Sequence, residues 1–210
     1  LQVKITLTHI SLKRLAYTLK SIRGLNSTIA FGSFRQIEDV NISCLVDVEG
    51  QNLAPMMVTK CDKLDILGIR EQMRRRLKKL KTRNDKDFNH QMGIVARLHS
   101  SLVSCVIELS SFIAYCLGRD ISSLKIRRFG FGTAILTNCA DMEIYNSFAP
   151  LVPFTKAICV ALLCKPKMKA VVDENGQVVA KKMMNVNVTF DHRYADGYQA
   201  SLMIKNMYHF

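Results

Sequence analysis

Three observations make this sequence an α/β protein. Val186, Val188 and Phe190 alternate with Asn187 and Thr189, the period-two pattern of a strand with one buried face. Ile10, Leu12, Leu15, Leu19 and Ile22 recur at the spacing of one helix face, and Gly24 follows them as a stop. Between residues 36 and 60, two apolar runs flank the turn-forming stretch Glu49-Gly50-Gln51-Asn52, which reads as two strands joined by a turn.

At 210 residues the chain suits one domain, long enough to bury ~70% of the surface its unfolded form exposes. Hydrophobic residues make up 49% and charged residues 22%, a globular composition. The formal net charge of +13 raises the possibility of nucleic-acid binding. Its distribution argues otherwise: much of the excess lies between Arg74 and Arg83, with no finger, RNP or helix-turn-helix pattern beside it. That run reads as a solvated helix face. Seven cysteines are scattered without Cys-x-x-Cys pairing, which favours free thiols in a reducing compartment over a disulfide frame or a metal site.

In chain order, Val3, Ile5 and Leu7 read as a short strand, and Thr8 as the cap of the helix behind it. Leu25 to Ile29 opens another extended segment. Leu64, Ile66, Leu67 and Ile69 lead into the helix that carries the basic run. Leu102 to Leu117 is strongly apolar but interrupted by Glu108, and falls short of the ~20 residues of a membrane span; it reads as a helix packed on the core or between subunits. Gly130 to Ala140 reads as a buried strand entering a loop, and Asp173-Glu174-Asn175-Gly176 as a hairpin turn before a strand from Gln177 to Ala180. After the strand ending at Phe190, Asp191-His192-Arg193 breaks the alternation, and Asp196-Gly197 precedes the apolar Ala200, Leu202, Met203 and Ile204 of a helix. A histidine at the end of a buried strand, kept from bulk water, suits a general base; an isolated one more often only caps backbone groups.

The run Phe190-Asp191-His192-Arg193-x-x-Asp196-Gly197 resembles the signature of the acyltransferase core of the 2-oxo acid dehydrogenase complexes, and the shorter His-x-x-x-Asp-Gly of chloramphenicol acetyltransferase. Other stretches agree. Gly24-Leu25-Asn26-Ser27 is similar to a Pro-x-x-Asn-Ala-Ser passage of the family, without its proline. Asp47 and Pro55 keep the spacing of a strand pair, and Leu136-Thr137-Asn138 aligns with Ile-Ser-Asn, so that Thr137 takes the place of the oxyanion-stabilising serine. Asn146, Ala149, Pro153 and Ala157 to Ala161 continue the match without a gap. Residues 84–128 depart from the pattern as an inserted helical segment, and the 210 residues contain no lipoyl or peripheral-subunit-binding domain.

The resemblance implies a chloramphenicol acetyltransferase-like two-layer α/β sandwich, a mixed sheet with helices on one face. It implies transfer of an acyl group between coenzyme A and a dihydrolipoyl or other thiol, with the lipoyl group on a partner domain or chain and no metal. His192 would be the base, Thr137 the oxyanion donor, and Asp196 an orienting residue that pairs with Arg193 or another arginine; Gly197 would let the helix start close to the turn. The site would lie between subunits of a homotrimer, itself able to build a cubic or larger shell. The mitochondrial matrix, or a bacterial cytoplasm, is the expected location. The competing expectation is a catalytically silent trimeric core kept for assembly or docking.

Overall fold

A computed structural model describes residues 4–48, 52–81, 93, 99–124 and 126–208. Helix α1 spans Leu7–Ser21, α2 Ile66–Lys81, α3 Ser100–Ser111 and α4 Gly197–Tyr208. The strands are β1 Ser27–Ala30, β2 Ser33–Gln36, β3 Ile42–Val48, β4 Asn52–Val58, β5 Ala134–Asn138, β6 Cys159–Leu163, β7 Lys167–Val172, β8 Val178–Met183 and β9 Val186–Phe190. Five of them form the central sheet in the order β4-β3-β5-β6-β9, while β1-β2 and β7-β8 are separate hairpins. The sheet is mixed: β3, β5 and β6 run parallel, and β4 and β9 flank them antiparallel.

Strand alternation divides the two faces. Ile42 and Cys44 of β3, Ala54, Met56 and Val58 of β4, Ala134 and Leu136 of β5, and Cys159, Ala161 and Leu163 of β6 point to one side. There they pack with Leu12, Leu15 and Leu19 of α1, Ile69 of α2 and Met203 of α4. Val186, Val188 and Phe190 join this core, as their period predicts. On the other side, Ile135 and Val160 pack with Ala157, Leu45, Ala149 and Leu151. The main helices therefore cover one face, and the connection from β5 to β6 crosses the other.

The sequence misplaces the start of the chain. Thr6, not Thr8, precedes the first helix, its backbone N–H donating to His9 Nδ1 at 3.0 Å, and residues 4–6 form no strand. Of the residues read as alternating, Leu7 opens α1 and stays exposed, Ile5 precedes the helix, and Val3 lies outside the described residues. Ile10 is exposed as well, whereas Leu12, Leu15, Leu19 and Ile22 are buried as expected. Hairpin β1-β2 was only half legible, since β2 is exposed at every position and carries no apolar alternation.

Of the expected insertion at 84–128, residues 84–92, 94–98 and 125 lie outside the described residues. The helical reading of Leu102 to Leu117 holds, as α3 followed by a wider π-helical turn, Phe112–Cys116. This segment is anchored at several points: Ser111 Oγ donates to the Phe154 carbonyl at 3.1 Å, the Phe131 N–H donates to Tyr115 Oη at 3.1 Å, and the Phe31 and Phe112 rings meet edge-on. Among the described residues no helix is long and apolar enough to cross a membrane. The basic run as far as Lys81 lies on α2, where Glu71 pairs with Arg74 at 3.0 Å and with Arg75 at 2.9 Å; these hydrogen bonds, Arg74's first, pull the carboxyl down to about 2.

Three local features set the site's frame. Asn26, fully buried, donates to the Ile37 carbonyl at 2.6 Å and accepts from Thr133 Oγ1 at 2.6 Å, tying the β1-β2 hairpin to the entry of β5. Beside it, Gly132 has φ +71°, and a Cβ there would sit 2.2 Å from the Asn41 carbonyl oxygen, which accepts the Thr133 N–H. Only glycine fits both the left-handed backbone and that approach. Helix α4 begins with a reciprocal cap: Asp196 Oδ1 accepts the N–H groups of Tyr198 at 2.8 Å and Gln199 at 3.2 Å, and Gln199 Oε1 accepts the Asp196 N–H at 3.0 Å.

Gly132→Ala is expected to destabilise the protein by roughly 3 kcal/mol or more, in the range reserved for backbone strain and core overlap, as measured by urea unfolding. Asp196→Ala should cost about 1 kcal/mol in the same measurement, and Asp196→Asn, which keeps the capping oxygen, only a few tenths.

Candidate active site

The turn after β9 is held from three sides. Strand pairing ends at Phe190 against Cys159, and the Asp191 N–H reaches one step further to the Ile158 carbonyl at 2.8 Å. The Asp191 carboxylate then accepts the Arg193 N–H at 3.0 Å and forms an ion pair with its guanidinium at 2.6 Å. Arg193's hydrogen bonds hold the Asp191 carboxyl below its ordinary value, and Asp191 in return raises Arg193. Tyr194 turns inward: its hydroxyl accepts the Ile29 N–H at 2.9 Å, its ring meets Phe34 edge-on at 5.7 Å, and burial raises its pKa. Ala195 behind it is buried.

His192 is the member of this turn left facing out. It is exposed, with its ring 6.2 Å from that of Phe190, and among the described residues no hydrogen-bond partner reaches the imidazole. The expectation of an imidazole withheld from water therefore does not hold within one chain. The reason is geometric: alternation ends with Phe190 on the core side, and the Asp191–Arg193 clamp directs the next side chain away from the sheet.

Asp196 lies four residues on, but its carboxylate caps α4 and makes no ion pair with Arg193, whose partner is Asp191. The expected pairing is corrected accordingly, because an acceptor two residues away fits the fork of the arginine within the turn. Gly197 opens α4 as expected, although a Cβ there would meet nothing within 4 Å, so the helix start does not require it.

Thr137 lies on β5 opposite Leu162, half-buried on the face away from the helices, since its neighbour Leu136 belongs to the helix-side core. Register places it far from His192. Cys159 pairs with both Ala134 and Phe190, so His192 extends beyond one end of the sheet while Thr137 approaches the other. The offset is about five residue steps, roughly 16 Å, with two strand spacings, roughly 10 Å, across. One chain cannot bring this hydroxyl and this imidazole to a common reacting atom.

Sequence reasoning missed the groups that secure the Thr137 end. Asn187 donates to Asn146 Oδ1 and to the Ser147 carbonyl, both at 2.7 Å, and Asn185 donates to the Tyr145 carbonyl at 2.9 Å. These two asparagines fasten the loop after β5 to β9. Their only sequence signal is polarity on alternate strand positions, which also fits plain solvent exposure. Among the described residues no group of acidic, histidine and cysteine side chains is arranged to hold a metal.

Residues 118–210, which include Thr137, His192 and Asp196, match the family described as 2-oxoacid dehydrogenases acyltransferase (catalytic domain). No curated protein sequence matches the chain. Among solved structures, the cubic core of the pyruvate dehydrogenase multienzyme complex superposes with a TM-score of 0.69 at 16% identity, over 98% of this chain and 68% of that one. The dihydrolipoamide acetyltransferase of Azotobacter vinelandii gives 0.68 at 16% identity, again over 98% and 68%. At that identity the likeness establishes the fold, and it extends to the residues ahead of 118. Residues 118–210 thus carry the sequence pattern of the 2-oxoacid dehydrogenases acyltransferase catalytic domain, on a fold that nearly the whole chain shares with these solved structures.

Proposed function

We propose that this domain transfers an acyl group between coenzyme A and a dihydrolipoyl thiol carried by a partner domain or chain, at a site shared by two subunits. The observation that carries the reading is the placement of the two candidate groups: an outward-facing His192 on a rigid turn and a half-buried Thr137 at the opposite end of the same sheet. Copies arranged around a threefold axis would set the His192 turn of one subunit against the Thr137 end of the next, and would supply the shelter from water that the imidazole lacks in a single chain. Exposed apolar side chains near the Thr137 end, Met142 and Phe148, and along the β7-β8 hairpin, Met168, Val172 and Val178, support burial against another subunit. The Azotobacter enzyme was studied for the role of a serine, a histidine and an asparagine four residues after that histidine. Here Thr137 carries a hydroxyl, His192 an imidazole, and Asp196 follows that histidine by the same four residues.

In this reading an imidazole nitrogen of His192 takes the proton of the attacking thiol, and the thiolate sulfur bonds to the acyl carbon of the thioester. The Thr137 hydroxyl donates to the oxygen as it gains charge, its β-branching restricting the rotamer. Collapse breaks the other carbon–sulfur bond, and His192 returns its proton to the departing thiolate. Asp191 and Arg193 position the histidine through the backbone, and Asp196 fixes the turn by capping α4. Free buried thiols are consistent with a reducing compartment such as the mitochondrial matrix.

Purified protein should acylate dihydrolipoamide from acetyl-coenzyme A. His192→Ala is expected to lower the rate ~10²–10⁴-fold and Thr137→Ala ~10²–10³-fold, with the oligomer intact in both. Because each shared site draws one group from each subunit, oligomers reassembled from a mixture of the two variants should regain a substantial part of the activity. A mixture no more active than either variant alone would overturn the shared site, and an intact oligomer that acylates no thiol would overturn the acyl-transfer reading.

A further inference from the structure

Sequence alone cannot pair Cys139 with Cys164, because 25 positions separate them in a chain with seven cysteines. The sheet does pair them. Strands β5 and β6 run parallel with Asn138 opposite Leu163, so Cys139 and Cys164 are the next residues of each strand, side by side. A backbone hydrogen bond, Cys139 N–H to the Leu163 carbonyl at 2.9 Å, keeps the chains together past the last strand pair. Continued alternation puts both thiols on the face away from the helices, the face of Thr137 and Leu162. Asn187, on that face of β9, donates to Cys164 Sγ at 3.8 Å. Adjacent strands lie ~4.8 Å apart, within the roughly 4.4–6.8 Å between Cα atoms that a disulfide bridges. The two thiols are close enough that Cys164, after burial, helps to raise the pKa of Cys139.

We propose that Cys139 and Cys164 are a redox modification site, closing a reversible disulfide across the β5-β6 ends when the protein meets a small-molecule disulfide. Access fits this order: Cys139 is partly exposed and Cys164 fully buried. The Cys139 thiolate, its proton passed to solvent, attacks one sulfur of the small disulfide; the sulfur–sulfur bond breaks and one thiolate leaves. The Cys164 thiol then loses its proton and attacks the Cys139 sulfur of the mixed disulfide, releasing the second thiolate. Two protein thiols are oxidised, and one disulfide is reduced to two thiols. Cys159, in the same strand, cannot substitute, because it faces the helix-side core. The bond would tie the segment two residues after Thr137 to β6, so the redox state of the pair and the setting of that hydroxyl are mechanically linked. This inference does not depend on the acyl-transfer reading.

The test is to incubate the native protein with oxidised glutathione, alkylate the remaining thiols after denaturation, digest with trypsin and sequence the products by mass spectrometry. The expected product joins residues 129–156 to residues 157–167 through Cys139 and Cys164, with Cys159 alkylated; dithiothreitol reverses it, and it forms faster at pH 9 than at pH 7. Cys139→Ser, a change at a partly exposed position, should abolish the link and leave Cys164 alkylated only after denaturation. If both cysteines of the wild type stay alkylatable, if Cys139 carries only glutathione, or if the link runs through Cys159, the proposal fails.

Discussion

The register of β6 determines the chemistry available to this chain. Its residues pair in parallel with β5 and antiparallel with β9, so Cys159 meets both Ala134 and Phe190 while Leu163 meets both Asn138 and Val186. A strand that follows β5 in direction and opposes β9 sends the ends of those two neighbours to opposite edges of the sheet. Thr137 and His192 are thereby parted within one chain, and Cys139 and Cys164 are brought together. A slip of one residue would reverse every side chain in the strand, and burial of Cys159, Ala161 and Leu163 against α1 and α4 fixes the register against it.

Around that constraint, the His192 turn is rigid for reasons that do not involve the histidine. Asp191 is satisfied by Arg193, Tyr194 by the Ile29 amide, and Asp196 by the first amides of α4. The side chains of Asp191, Arg193, Tyr194 and Asp196 all have partners, so the turn presents the His192 imidazole without needing a ligand to order it. In the proposed reaction, fixing these groups in advance removes reorganisation from the chemical step, the general advantage of a preorganised site.

The Thr137 end is held differently. Its loop has little regular structure beyond the short turn Pro153–Thr155, and Asn185 and Asn187 hold it from the neighbouring strand. Helix α3 and its π-helical continuation brace the same connection from outside, through Ser111 on Phe154 and Tyr115 on Phe131. This helical segment is thus linked to the chain on both sides of β5.

By itself, the sequence determined the class of fold and named the candidate site residues. Period-two alternation at Val186, Val188 and Phe190 and the helical face at Leu12, Leu15 and Leu19 follow from local geometry, since side-chain direction depends only on φ and ψ. The motif around His192 is contiguous, so its composition was readable in one dimension. Three matters were decided only by the tertiary structure. Asp191 rather than Asp196 binds Arg193, because a helix cap claims the latter. Hairpin β1-β2 exists although β2 carries no apolar pattern, because Asn26 supplies the buried anchor. Thr137 and His192 stand apart, and Cys139 and Cys164 together, because strand order and register relate residues far apart in the chain, and no local propensity encodes which strand lies next to which.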